Sequence, residues 1–553
     1  LPPTIPINPI ASSRSRTIAL LAALFIFLFA AYALTTSADL QANGDTALRI
    51  NVAEEYMQGH VDLPGWILQF PHHFKKEWID PRIWYCFGNH ADVCSTYLPG
   101  QPLVIIPFDY LGQQVASHER WPLGPTVITF DHLVGPLFGA LLGMIFFMFA
   151  VRLGYGRLQS LVLTAILAFA TTVWPDEQSV SEHIEVTFFI FLAMYLIFRL
   201  REQAAPEVYA VLAGLAAGGA VLTRYQDAFL GLAAIGLYLV LPGPRAGSLV
   251  RRAVRLALLG AGVMPSVIVV GWYDWYRFGS VFASGHQERI FGYPPLLGAA
   301  GLLFSPGKGL VWYAPTVWLA LVAAPRFARR FPALLVAFGA LCVVFVGLYA
   351  NVTYWFGDPA WGPRYLFILI PFLTLPLGEL LRRARFARLL WLLTALVVFA
   401  GFTVQLAGVS VSQWRSWYRV ISYEEAQGQK WEWIASRYHY FWNVHESPLN
   451  FQIHGLYQLG YDSLANSRKY ELVPPPEDPV LDDLTTTYNV NQWNLWWASN
   501  EYNWWMGRDK VVLGVLALLA LMGATGLYLV AETSGIFAEQ VSAESYQPLP
   551  EAA

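Results

Sequence analysis

Arg14–Leu34 reads RSRTIALLAALFIFLFAAYAL: two arginines, then an uncharged apolar run from about Thr17 to Leu34. A run of roughly twenty such residues is the length that crosses the hydrocarbon core of a bilayer as a helix. No small-residue cleavage site accompanies it, so it is read as a retained span and not as a cleaved leader. The pattern recurs near 129–151, 158–174, 184–200, 206–222, 226–242, 253–272, 309–325, 332–350, 365–381, 388–410 and 510–531. About twelve spans are therefore expected, and the chain is read as an all-α polytopic membrane protein.

Composition agrees, with 56% hydrophobic and 13% charged residues among 553. A net charge of −3 offers no basic surface, which excludes nucleic acid as a partner. What carries information is the placement of the charges. Arginines gather at every second connection: Arg14 and Arg16, Arg152 and Arg157, Arg199 and Arg201, Arg245 to Arg255, Arg326 to Arg330, and Arg382 to Arg388. Short cytoplasmic loops collect Lys and Arg, so these connections and both termini are expected in the cytoplasm.

The remaining segments, 35–128, 175–183, a turn near Arg224, 273–308, 351–364 and 411–509, are then extracytoplasmic. The domain reading is 1–410 as a transmembrane domain with first external loop 35–128, then 411–509 as an external Trp-rich segment. A final helix over 510–531 and a cytoplasmic tail over 532–553 complete it. Pro99 to Leu111 is too short and Pro-rich to span and reads as a helix on the outer surface. Asn43–Tyr56, NGDTALRINVAEEY, reads as a second one, with Leu48, Val52, Ala53 and Tyr56 on one side. The tryptophans of 411–509, among them Trp414, Trp431, Trp496 and Trp505, read as an interfacial belt, a sugar-stacking surface or a protein contact. Cys86 and Cys94 share the first external loop, where an oxidising compartment favours a bridge between them.

Walker, dinucleotide, His-Glu-x-x-His and CxxC patterns are absent, so the chemistry is sought in charges that defy the prevailing bias. External cations stand at Arg49, Arg224 (LTRYQDAF), Arg277 (YDWYRFGSVFASGH), Arg289, Lys308 (LLFSPGKGLVWYAP) and Arg364 (YWFGDPAWGPRYL). At a bilayer edge such residues suit a phosphate, and equally they snorkel to lipid headgroups. The external acids are Asp45, Glu54 and Glu55, then Asp176, Glu177, Glu182 and Glu185 in WPDEQSVSEHIEV. Asp45 lies where it can cap the following helix or act as a base.

Taken in order, the early acid, STYLPGQPLVIIP, SEHIEV, the RFGS to LLFSPGKGL loop and WGPRYL resemble bacterial GT-C glycosyltransferases. These are relatives of protein O-mannosyltransferases and lipid A aminoarabinose transferases. The resemblance covers roughly 17–410 and leaves the Trp-rich segment outside it. It implies a GT-C-like bundle with two surface helices in the first external loop, a polyprenyl-phosphate sugar as donor, and the first-loop acid as catalytic base. Carried over, Asp45 is that base and Glu182 a second acid. Arg224, Lys308 and Arg364 are donor-phosphate ligands, and Arg277, His183 and Tyr365 join them as substrate-binding candidates.

The chemistry fits the residue types on separate grounds. A sugar on a lipid phosphate already carries a good leaving group, so the paired carboxylates of glycoside hydrolysis are not needed and one base suffices. Cations opposite the base hold the charge that develops on the phosphate. No metal is required by this scheme; a divalent metal held through Asp45 and Glu182 is the variant. The expected activity is inverting transfer to a hydroxyl of a protein, lipid or glycan, on the extracytoplasmic face of the plasma (inner) membrane. The rival classes are a non-catalytic GT-C-like subunit of a membrane assembly and a transporter. A transporter should show repeated halves and helices interrupted near the midplane, whereas here the ionisable residues gather at the outer span ends.

Overall fold

A computed structural model describes residues 9–37, 44–61, 85–87, 93–119, 123–203, 205–243, 245–283, 291–357, 360–381, 388–413, 441–465, 493–498 and 509–534. The order is α1 (Pro9–Leu34), α2 (Gly44–Met57), the antiparallel pair β1 (Tyr85–Phe87) and β2 (Val93–Ser95), α3 (Gly100–Glu119), α4 (Leu123–Asp131) and α5 (Val134–Arg152). Next come α6 (Arg157–Phe169), the single turn α7 (Val173–Asp176), α8 (Glu182–Glu202), α9 (Val208–Val240) and α10 (Leu249–Phe278). α11 (Pro295–Phe304), α12 (Leu310–Tyr313), α13 (Thr316–Arg330) and α14 (Pro332–Tyr349) precede α15, a proline-interrupted helical stretch over Arg364–Leu381. α16 (Arg388–Ser410), α17 (Pro448–Ala465) and α18 (Asp509–Ser534) complete the described elements.

Among the described residues nine helices are long and apolar enough to cross a membrane, against the twelve runs read from the sequence. The difference has local causes. The run at 158–174 is broken after Phe169, leaving α6 with 13 residues and α7 beyond a bend at Ala170–Thr172. The run at 309–325 is interrupted at Ala314 and Pro315, where proline has no N–H to continue the helix, so α13 with 15 residues starts afresh. The runs at 206–222 and 226–242 form one element, α9, with a single non-helical residue, Arg224, at φ −157° and ψ 88°.

That residue reverses the chain. Arg224 meets Glu182 at the start of α8, while Tyr238, in the second arm of α9, donates its hydroxyl at 3.2 Å to Glu202 at the far end of α8. The first arm begins at Val208, only a short connection beyond Glu202, so both arms leave and return to the same end. The expected turn near Arg224 is thus present and very tight. Small residues let the bundle close around it: a Cβ at Gly214 would stand 2.2 Å from the Leu259 carbonyl oxygen, and one at Gly262 2.3 Å from that of Val211. Such close backbone approach is how helices associate where lipid supplies no hydrophobic drive.

The arginine-bearing connections meet at the end of α8 opposite Glu182. Arg255 bonds Glu207 at 2.9 Å, Arg201 donates to Pro242 O at 3.1 Å, and Arg330 pairs with Glu379 and donates to Leu153 O at 2.7 Å. At the other end, the carbonyls left unpaired at the C-terminus of α1 are taken by indoles. Trp496 Nε1 donates to Ala33 O at 3.0 Å and Trp497 Nε1 to Leu34 O at 2.8 Å, so part of the Trp-rich segment is tied to the first span. Trp414, Trp431 and Trp505 lie outside the described residues, as does Arg289. The ribbon register sets Cys86 opposite Cys94, but the Cys86 side chain lies outside the described residues.

Candidate functional site

The site grows from the turn between α7 and α8. Ser181 caps α8, its hydroxyl oxygen accepting from His183 N at 3.3 Å, and its O–H donates to Asp176 Oδ2 at 2.8 Å. This puts Glu182 and Glu185 in the first turn of a 21-residue helix, where the exposed N–H groups favour negative charge. α2 docks on the same turn: Thr46 Oγ1 donates to Val180 O at 3.1 Å. Asp45, the residue before Thr46, is the second residue of α2, and its side chain lies outside the described residues.

Three residues beyond Thr46, Arg49 reaches Glu182 Oε2 at 3.0 Å and lies over the Tyr97 ring at 4.2 Å. The other Glu182 oxygen accepts from Arg224. Arg224 in turn holds Asp227 Oδ2 at 3.0 Å and donates to Tyr349 Oη at 3.3 Å, while the Tyr349 hydroxyl donates to Asp227. The result is a buried chain Arg49–Glu182–Arg224–Asp227 drawn from α2, α8 and the two sides of the α9 turn. Breaking one partner out of such a chain leaves an uncompensated buried charge.

Aromatic rings extend it. Tyr349 and Tyr365 stack at 4.4 Å and 5°, the His183 ring meets Tyr365 edge-on at 6.5 Å, and the guanidinium groups of Arg224 and Arg364 lie 5.7 and 5.2 Å from the Tyr365 ring centre. Arg364 leaves a loop whose path needs Gly357 at φ 68°, where a Cβ would fall 2.8 Å from Arg364 Cγ. On the other wall, Gly100 lets α3 start against the α9 turn: a Cβ there would stand 2.5 Å from Leu222 C. Gln101 then donates to Glu185 Oε1 at 3.1 Å.

Of the residues singled out in the sequence, Glu182, His183, Arg224, Arg364 and Tyr365 come together here. Lys308 is fully buried, its ammonium donating to Ala360 O. Arg277 does not join. It is buried at the end of α10, paired with Asp274 at 2.6 Å and donating to Tyr97 O at 3.1 Å and to Ser95 O. Its position makes it a tie that holds Tyr97, the ring beneath Arg49. Arg49, Asp227, Tyr349 and Tyr97 were not assigned from the sequence. Arg49 was visible as one of the outlying cations, and Asp227 stands three residues from Arg224, the spacing of neighbours on a helix. Tyr349, the last residue of an apolar run, carried no signal.

Burial pushes the Asp176 carboxyl up to about 7, against the lowering effects of the Ser181 hydroxyl and the Arg364 guanidinium, with Glu182 adding to the rise. Glu177 beside it is raised well above the carboxylate range, by burial first and by Asp176 second. Asp176 and Glu177, both raised by burial, precede Glu182 in the turn that opens α8, and an acid raised to near neutrality suits proton exchange. Among the described residues no group of three or more His, Cys, Asp or Glu side chains is arranged to hold a metal ion.

Comparison with known proteins gives one family model, described as dolichyl-phosphate-mannose-protein mannosyltransferase, which matches residues 128–273. That stretch contains Glu182, Arg224 and Asp227 and ends before Arg277, Lys308 and Arg364. No curated protein matches the chain. Among solved structures, ArnT from Cupriavidus metallidurans in the apo state is similar at 14% identity, covering 95% of this chain and 78% of that one with a TM-score of 0.46. ArnT from the same organism bound to undecaprenyl phosphate is similar at 15% identity, with coverage of 97% and 81% and a TM-score of 0.43. The archaeal oligosaccharyltransferase AglB from Archaeoglobus fulgidus, in complex with an inhibitory peptide and a dolichol-phosphate, follows at 12% identity, 97% and 52% coverage and a TM-score of 0.34. The similarity to GT-C membrane glycosyltransferases read from the sequence is borne out by the family model over residues 128–273.

Proposed function

We propose that the chain transfers a sugar from a polyprenyl-phosphate donor to an acceptor hydroxyl on the extracytoplasmic face of the membrane, with inversion at the anomeric carbon. The observation that carries this is the convergence of Arg49, Arg224 and Arg364 at one end of the helix bundle, against the α2 terminus that bears Asp45. The family match over 128–273 supports the same class of donor. Asp45 takes the proton of the acceptor hydroxyl as its oxygen attacks the anomeric carbon. The bond from that carbon to the phosphate oxygen breaks, and the phosphate departs with the electron pair into the field of the arginines and Lys308. Glu182 acts as a positioning residue, aiming Arg49 and Arg224 at a common point. No step calls for a metal.

One observation favours the non-catalytic reading. Both Glu182 oxygens and the Arg224 guanidinium are engaged by the protein itself, as a purely structural clamp would be. Mass spectrometry of lipids copurifying with the protein separates the two. A polyprenyl-phosphate sugar, present with the parent protein and depleted in Arg364→Ala at unchanged melting temperature, supports transfer. Equal phospholipid-only profiles from both proteins leave the clamp reading.

A further inference from the structure

Residues 273–308, read from the sequence as one external loop, contain α11, and its surroundings are not those of an aqueous helix. From Phe291 to Phe304 the sequence FGYPPLLGAAGLLF has no charged residue. One face of α11 is clasped by protein. A Cβ at Gly298 would lie 2.1 Å from Ala350 O, a Cβ at Gly301 would lie 2.5 Å from the Trp355 ring, and Leu302 is buried. The opposite face carries Leu296, Leu297 and Phe304, with Leu296 86% and Phe304 52% exposed. A helix apolar on every side is stable only when the uncovered side meets protein or lipid.

Length and attachment decide between them. Ten residues rise about 15 Å, half a bilayer core, so α11 does not span. Its start is pinned to the end of the spanning helix α14: Gly292 N and Tyr293 N donate to Asn351 O at 3.0 and 3.1 Å, and Phe291 bridges Val352. With 18 residues α14 is about 27 Å long, close to the thickness of the hydrocarbon core, so its end lies near the hydrocarbon edge. Trp272 and Trp275 near the end of α10 and Trp312 on α12 are half-exposed at this end of the bundle, and tryptophan is enriched at membrane interfaces. Trp312 Nε1 also donates to Phe304 O at 2.9 Å, which fixes the far end of α11.

We infer that α11 is seated in the outer leaflet of the bilayer, with the Leu296, Leu297 and Phe304 face in contact with lipid chains just below the headgroups. The 305–309 turn that follows, where Lys308 N and Gly309 N both donate to Ser305 O, then hangs from a lipid-anchored support. Lys308 is thereby carried to the depth of lipid phosphates, a placement that holds whether or not the chain transfers sugar.

Leu296→Cys, labelled with an environment-sensitive fluorophore and reconstituted into phosphatidylcholine and phosphatidylglycerol vesicles, tests this, with the labelled parent protein as background. Leu296 points outward, so the substitution leaves the packed face intact. The expected result is strong quenching by lipids bearing a nitroxide near the headgroup, weaker quenching by lipids bearing it at the chain end, and protection from aqueous iodide. Quenching by iodide without quenching by lipid nitroxides would put the face in water and overturn the inference. Protection from both quenchers would overturn it in favour of a covering protein.

Discussion

Arg224 interrupts α9 with an extended backbone and places its side chain among Glu182, Asp227 and Tyr349, so one residue both turns the chain and joins the ion-pair chain. Asp176, on the other side of Glu182, has the most testable titration. Its carboxyl ordinarily ionises near 3.8 and is raised to about 7 chiefly by burial, so the folded protein keeps a proton that the unfolded chain has lost. A raised carboxyl contributes stability that is fully present below about pH 4 and lost as pH climbs to about 7. Asp176→Asn keeps an acceptor for the Ser181 hydroxyl and removes the titration. Its melting temperature should therefore gain on the parent across that window and hold a constant lead above it, as thermal denaturation at a series of pH values would read; parallel curves would mean that Asp176 is solvated in the folded protein.

At the scale of elements, α2 and α3 meet through acids. Burial raises Glu54 to about 7, with Asp109 and Glu55 adding to it, and burial raises Asp109 to about 6 despite the 2.7 Å bond from Gln113. The same sign applies, so the grip of α2 on α3 should weaken as pH climbs from about 4 to about 7. Hydrogen exchange of the amides of Gly44–Met57, corrected for intrinsic rate, should accelerate over that range and do so less in Glu54→Gln. Exchange that is indifferent to both would show the two carboxyls to be hydrated.

For the molecule as a whole, the apolar runs made most of the bundle legible, because a long helix writes its length into contiguous sequence, and the arginines marked connections that meet at one end of α8. Glu182, Arg224 and Arg364 stood out for a similar reason, as charges out of place. Their pairing did not, since Glu182 and Arg224 meet only after α8 and both arms of α9 have packed. Arg277 shows the limit: the same outlying charge that marks a ligand also marks a tie to backbone carbonyls, and only the fold tells Ser95 O and Tyr97 O from a phosphate. α11 escaped because ten apolar residues fall below the length that reads as a span. The proposed transfer rests on Asp45, the neighbour of Thr46, by which α2 docks on the turn before α8. Asp45→Asn keeps the ability to cap a helix and removes the base. Sugar transfer from a polyprenyl-phosphate donor, measured on one preparation together with donor affinity and melting temperature, should fall on the order of 10²-fold or more while the other two stay nearly unchanged. Near-normal turnover in the Asn variant would contradict the account.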